Sequence, residues 1–224
     1  MKKNRKDPVF DLERAYADCH RIALRLAAVE APGRALDLGA GQGALSQALK
    51  LRGFEVTAAD INTDQFRADG VVCSRLDLNA PLPFPDGGFD LVLAIEILEH
   101  LESPRAFLRE IFRVLKPGGL AVLSTPNITS LPSRVFFLAT GCFDLFVPTK
   151  KRLEDPLDAA ADGHISPIPG WLLRYHLRQG GFELERIRYT MAYLPLVPRA
   201  ALRFLRGRLA GRVGVYAARR PALP

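Results

Sequence analysis

The chain reads as an α/β protein built on a largely parallel sheet with helices on both faces. Three observations predict it. Helical and strand patterns alternate from the N-terminal region to about residue 126. The short apolar run ALDLGAGQGAL over 35–45 contains an acid and then opens into glycines at every second position before a helical pattern resumes. Three successive strand runs end at acids, Asp37, Asp60 and Asp77, where an open parallel sheet gathers its ligands.

Each element has its own signature. Between Val9 and Val29, Leu12, Tyr16, Cys19, Ala23 and Leu26 fall on one helical stripe, an N-terminal helix packing on the sheet. Strand 1 is Ala35 to Leu38, and a helix from Ala44 to Leu51 is closed by Gly53. Strand 2, Phe54 to Ala59, ends at Asp60, and strand 3, Val71 to Leu76, ends at Asp77. A proline-rich turn leads into strand 4, Phe89 to Ile95. Phe107, Ile111 and Val114 mark the next helix, Lys116-Pro117-Gly118-Gly119 stops it, and strand 5 runs from Leu120 to Ser124.

With 224 residues, 48% of them apolar, the chain can bury one substantial core, and we expect a single domain over 1–224. Within it, 1–30 is the N-terminal helix, 35–126 the ligand-binding core, 127–165 an insertion, and 166–220 a C-terminal helix with the last strands. The three cysteines, Cys19, Cys73 and Cys142, are odd in number and unclustered, which points to a reducing compartment and away from a disulfide or zinc framework. No apolar stretch approaches the roughly 18 residues of a membrane span. The basic start lacks an apolar h-region, so a secretory signal is not expected and the cytoplasm is.

A net charge of +7 favours polyanions, and the excess is uneven. Lys2, Lys3, Arg5 and Lys6 crowd the N-terminus, and Arg199, Arg203, Arg206, Arg208 and Arg212 crowd a C-terminal stretch with no acid among them. Either cluster could meet nucleic acid or anionic lipid, or be a solvated face.

Glycines at Gly39, Gly41 and Gly43 let the backbone take positive φ and let a ligand lie against bare main chain. Gly39, Gly41 and Ala44 also fit the G-x-G-x-x-G/A dinucleotide fingerprint. Asp37 argues against that reading, because a carboxylate there would repel a pyrophosphate and suits a cationic amino-acid head group. Little helix and strand alternation remains beyond strand 5 for the second half a dehydrogenase needs. Asp60 lies seventeen positions past Gly43, close to where an acid accepts ribose hydroxyls in nucleoside-binding βαβ units. Asp60 and Asp77 can also be plain turn or cap residues.

Asp37, Gly39, Gly41 and Gly43 resemble motif I, D/E-x-G-x-G-x-G, of the class I S-adenosylmethionine-dependent methyltransferases. Phe89-Asp90-Leu91-Val92, Glu96-Ile97-Leu98-Glu99-His100-Leu101 and Arg113-Val114-Leu115-Lys116-Pro117-Gly118-Gly119 resemble the branch that includes ubiquinone- and menaquinone-biosynthesis-type methyltransferases. Weaker similarity continues at His164, Ile165 and Leu172 to Phe182. The resemblance implies a Rossmann-like class I methyltransferase fold, with a seven-stranded, mostly parallel sheet whose last strand, near Val213 to Ala218, is antiparallel. It implies S-adenosyl-L-methionine as cofactor, bound by Asp37, Gly39, Gly41, Gly43, Asp60, Ile61 and Ile95, with Asp77 and Leu78 at the adenine.

Methyl transfer from a sulfonium neutralises charge, so alignment carries most of the catalysis, with a general base added when the nucleophile holds a proton. His100 and His164 are the candidate bases, since each borders the expected cofactor mouth. His100 can instead orient its loop. His20 and His176 sit within helical patterns, and no metal site is expected. Ala94-Ile95-Glu96-Ile97 lacks the Asn/Asp/Ser-Pro-Pro-aromatic tetrapeptide of base amino methylation, and no cysteine lies near strands 4 or 5 for carbon-5 pyrimidine chemistry, so nucleic acid is disfavoured as substrate. The expected reaction is transfer to oxygen or carbon of a small, apolar or aromatic acceptor. The alternative is a methyltransferase-like scaffold that has lost activity.

The insertion from Asn127 to Gly163 carries Leu131, Val135, Phe136, Phe137, Leu138, Phe143, Leu145, Phe146 and Val147. These could wall an apolar acceptor or cap the core. From Pro195 to Arg212, a helix would place Leu202, Leu205 and Leu209 on one side and Arg199, Arg203 and Arg206 beside them. Such a helix could lie peripherally on an anionic bilayer or dock its leucines on the sheet.

Overall fold

The computed structural model describes residues 8–146, 163–191 and 207–222. They form α1 (Pro8–Ala27), β1 (Arg34–Leu38), α2 (Ala44–Lys50), β2 (Glu55–Asp60), β3 (Val72–Arg75), β4 (Phe89–Ala94), α3 (Pro104–Val114), β5 (Leu115–Pro126), α4 (Leu131–Thr140), α5 (Gly170–Gln179), β6 (Glu183–Tyr189) and β7 (Val213–Arg219). One seven-stranded sheet runs in the order β3-β2-β1-β4-β5-β7-β6. The first five strands pair in parallel, and β7 slots between β5 and β6 antiparallel to both. The α/β fold class expected from the alternation, with its antiparallel last strand, is the fold observed.

Central strands covered on both faces need apolar residues at every position, which is why they read as continuous runs. Their alternate side chains sort into two cores. Leu36, Leu38, Val92, Ala94, Ala121 and Leu123 face Phe107, Leu108 and Ile111 of α3 and Leu173 and Leu177 of α5. Ala35, Leu91, Leu93, Leu120 and Val122 face Ile22, Ala23 and Leu26 of α1 and Leu45 and Leu49 of α2. Of the N-terminal stripe, Cys19, Ala23 and Leu26 are buried, and the Leu12 and Tyr16 side chains lie outside the described ones.

One boundary differs from the sequence expectation. Lys116-Pro117-Gly118-Gly119 is a bulge inside β5, which already begins at Leu115. Phe89 pairs with Leu115 and Leu91 with Leu120, so the four residues 116–119 stand opposite Asp90 alone. The bulge aims Lys116 Nζ at both oxygens of Asp90, 2.8 Å away, and Asp90 also accepts the Arg34 amide at 2.8 Å. Three strands are thereby tied at the sheet end opposite the site.

α4 occupies the start of the expected insertion, whose residues 147–162 lie outside the described ones. The same holds for 192–206, most of the expected helix from Pro195 to Arg212; the described remainder, 207–212, is a turn leading into β7. No described helix is long and apolar enough to cross a membrane.

Candidate active site

Strand order reverses on either side of β1, which pairs with β2 on one edge and β4 on the other. The crevice outside the carboxyl ends of these strands is where open α/β sheets bind ligands. The glycine loop leaves β1 there. The Gly39 and Ala40 amides both donate to the Ala59 carbonyl, at 2.8 and 3.1 Å, folding the loop over the end of β2. Gly39 has φ +73°, and a Cβ on it would lie 1.9 Å from Ile97 Cδ1. Gly41 has φ +52°, and a Cβ there would meet nothing within 4 Å. The loop is packed on one side and open on the other, which fits a cradle for a nucleoside-bearing cofactor.

Asp60, at the end of β2 and 8% exposed, accepts the Gly41 amide at 2.7 Å and the Asn62 amide at 2.8 Å. It is a turn residue and a clasp on the glycine loop together. Asp37 is buried on the α1/α2 side and accepts a 2.6 Å bond from the Ser46 hydroxyl of α2. Burial pushes its carboxyl up to about 6, against the pull of Ser46 and with a small further push from Asp60. Its partner lies within the fold, so it anchors the first turns of α2 beneath the loop. Asp77 is exposed and accepts the Asn79 backbone and side-chain amides at 2.9 and 3.2 Å. Ile61 is 58% exposed and Leu78 half-buried, whereas Ile95 is packed into the α1/α2-side core.

The segment after β4 carries the most unusual local chemistry. Glu96 has φ +58°, the one positive φ outside glycine among the described residues. Its amide donates to Ser124 Oγ at 2.8 Å, and the same hydroxyl donates to Glu96 Oε1 at 2.5 Å. Burial raises its carboxyl, with Ser124 and Cys19 opposing. Glu99 follows, fully buried, and neither carboxylate oxygen has a partner among the described residues. Burial first and the Glu96 charge second push its pKa well above the ordinary range. The Glu99 backbone carbonyl accepts the Ile165 and Ser166 amides, both at 2.9 Å, and this contact brings residues 163–166 against the strand ends.

His100 and His164 meet there, rings edge to face with centroids 4.6 Å apart. Burial, then the neighbouring His164, lowers the His100 pKa, while a hydrogen bond to the Gly163 backbone opposes. His164 Nδ1 lies 2.7 Å from the Leu145 carbonyl, so Nδ1 carries the hydrogen in the neutral ring and Nε2 is the basic nitrogen. Glu99, His100 and His164 each offer an atom within 4.8 Å of the others, a carboxylate and two imidazoles that could hold a divalent cation. No spacing rule reveals this group, because His164 comes from a distant turn. Beside it Phe146 packs on His164 at 5.2 Å, Phe143 on Phe146 at 6.3 Å, and Phe137 of α4 stacks on Phe143 at 4.8 Å. The described part of the insertion therefore walls the histidine pair with aromatic rings. His20 and His176 lie elsewhere. His20 lines a shallow cavity of about 420 Å³ between α1 and α2 with Arg21, Arg25 and Arg52, and His176 is on α5.

Sequence reasoning singled out both histidines but missed the roles of Glu96 and Glu99. Their signal was position, directly after a buried strand at the switch point.

Residues 10–187 match the family model described as a methyltransferase domain. Demethylmenaquinone methyltransferase of Tropheryma whipplei is 35% identical over 181 residues, covering 74% of each chain. Ubiquinone biosynthesis O-methyltransferase of Xanthomonas euvesicatoria is 38% identical over 184 residues, 77% of this chain and 71% of that one. The Psychrobacter arcticus protein of the same name matches at 35% over 105 residues, and the match spans only 41% of its length. Among solved structures, a SAM-dependent methyltransferase of Archaeoglobus fulgidus superposes with a TM-score of 0.64 at 22% identity, covering 95% of this chain and all of that one. A 1,6-didemethyltoxoflavin-N1-methyltransferase of Burkholderia thailandensis, with its substrate and S-adenosylhomocysteine bound, superposes with a TM-score of 0.62 at 18% identity, covering 96% and 81%.

Proposed function

The chain belongs to the methyltransferase-domain family, and from that premise we propose that it transfers the methyl group of S-adenosylmethionine to oxygen or carbon of a small apolar or aromatic acceptor. The observation that carries this reading is the juxtaposition at one switch point of an open glycine cradle clasped by Asp60 and an aromatic-walled histidine pair. The quinone-pathway names of the relatives agree with an aromatic acceptor.

When bound, S-adenosylmethionine supplies a methyl carbon on cationic sulfur. Gly39, Gly41 and Gly43 offer it bare backbone, Asp60 stands at the ribose position, and Ile61, Asp77 and Leu78 flank the base. Asp37 acts through α2, or directly on the cationic head group. The Phe137, Phe143 and Phe146 rings exclude water from an apolar acceptor. His164 Nε2, its ring oriented by the Leu145 carbonyl, takes the proton of an acceptor hydroxyl, and His100, kept neutral by burial, is the second base.

The partnerless buried carboxylate of Glu99 supports a second reading of the same cluster. Glu99, His100 and His164 would hold a divalent cation that polarises an acceptor oxygen. Turnover unchanged in excess chelator would remove it.

Peripheral contact of 195–212 with the anionic inner face of a membrane, and a cytoplasmic location, complete the proposal. Calorimetric titration with S-adenosylmethionine, S-adenosylhomocysteine and NADH tests its premise. Binding of the first two is expected, and binding of NADH alone would overturn it.

A further inference from the structure

The insertion that walls the acceptor side also carries an apolar face turned away from the protein. On α4, Leu131, Val135 and Leu138 recur at helical spacing and are 61%, 59% and 85% exposed. Among the described residues nothing covers them. Leu209 is 65% exposed and joins the face, because the Leu131 amide donates to its carbonyl at 2.7 Å. The two segments are fastened further by Asn127. Its backbone amide reaches the Arg212 carbonyl at 2.6 Å, and its side-chain amide reaches the Arg208 and Gly211 carbonyls at 2.8 Å.

The exposed Arg134 of α4 and Arg208 flank this face. The sequence leads into it through Arg199, Arg203 and Arg206, with no acid from 195 to 212. Leucines rimmed by uncompensated arginines match the boundary of an anionic bilayer, with apolar tips at the acyl edge and guanidinium groups at lipid phosphates. A second copy of the chain is a poorer fit, since self-association would set two basic rims against each other. The opposite side of α4 bears Phe137, the outermost ring of the stack that runs through Phe143 and Phe146 to His164.

We propose that α4 and the 207–210 turn form one membrane-contacting face for anionic lipid, so that an acceptor partitioned in the bilayer reaches the histidine pair along the phenylalanine wall without crossing water. This rests on the apolar-acceptor reading above and adds to the arginine-rich stretch a partner element, α4, that the sequence did not associate with it.

The test is flotation with phosphatidylglycerol-containing vesicles and with phosphatidylcholine alone, at low and high salt, on the full chain. Variants are Leu131→Ser/Val135→Ser/Leu138→Ser and Arg134→Gln/Arg208→Gln. Wild type should float with anionic vesicles at low salt, and the serine variant should bind about tenfold or more weakly. The glutamine variant should lose part of the binding and much of its salt dependence. Calorimetry with S-adenosylhomocysteine reports folding of each variant independently. Should the serine variant misfold, a polarity-sensitive dye on Leu138→Cys in a Cys142→Ser background reads the same contact, with emission shifting to the blue on anionic vesicles. Three results overturn the proposal: no wild-type flotation at low salt, an unshifted dye, or a concentration-dependent dimer that the serine variant abolishes. Failure to bind S-adenosylhomocysteine would sink the methyltransferase reading instead, while the flotation result still judges the face.

Discussion

The two halves of the candidate site are held by opposite means. In the glycine-loop half every acid has a partner inside the fold: Asp37 has Ser46, Asp60 has the Gly41 and Asn62 amides, and Asp77 has Asn79. In the half after β4, a buried Glu99 has no partner, Glu96 holds a left-handed backbone, and two imidazoles press together. The first half is complete without a ligand and so is preorganised to bind one. The second concentrates unmet polar demand and backbone strain, the pattern of a place where chemistry is done.

The largest effect should come from the strained half. His164→Ala should lower kcat by about 10² to 10⁴, some 3 to 5 kcal/mol, while S-adenosylhomocysteine affinity stays as in wild type. Steady-state kinetics beside calorimetry separates the two. A variant that loses affinity and keeps kcat would reverse the division of labour. The pH profile sharpens this further. His100 is held below its ordinary 6.5, mainly by burial, so activity should persist at pH 6.5 and fall only at lower pH.

Asp37 tests whether the self-contained half conceals a cost. Its folded pKa of about 6 stands above the ordinary 3.8, so between those values the folded state binds more protons than the unfolded one. Stability must then decline as pH rises through that window, by about 3 kcal/mol in total. Asp37→Asn removes the titration. In urea denaturation, its advantage over wild type should therefore grow from pH 4 to pH 7. Parallel profiles would show that Ser46 already compensates the buried charge.

The same contrast governs what could be read from sequence. β1, the glycine loop and Asp60 are contiguous or nearly so, and their local spacing reports their geometry. The seven-stranded sheet followed from strand alternation plus family resemblance. The acceptor half is built by tertiary contacts. His164 is brought to Glu99 by two backbone hydrogen bonds from 165 and 166, and its ring is aimed by the carbonyl of Leu145. Neither is encoded in side-chain pattern. Sequence therefore named the histidines without showing that they touch. The bulge at 116–119 escaped for a related reason, since Pro-Gly-Gly marks a break and cannot say whether a strand resumes on the same edge.

Asp60→Ala should weaken S-adenosylmethionine binding by about 1.5 to 3 kcal/mol, the usual loss of hydrogen bonds to a charged group. The substitution also frees the Gly41 amide, so an enthalpy change in calorimetry without a change in affinity would mean that Asp60 serves the loop alone.

Gly41→Ala should be the smallest perturbation and the most discriminating. The added methyl meets nothing within 4 Å, so the fold bears only the left-handed backbone, about 1 kcal/mol. If the open side of the loop is where the cofactor lies, the methyl occupies that space, and affinity should fall by more than stability does. Denaturant unfolding and calorimetric titration on one preparation compare the two losses directly. Equal losses would mean that the cofactor does not touch the loop at Gly41 and that the open side faces only solvent. A loss confined to binding would make the glycine loop a recognition element in its own right, distinct from Gly39, where Ile97 leaves no room for any side chain and the requirement belongs to the fold.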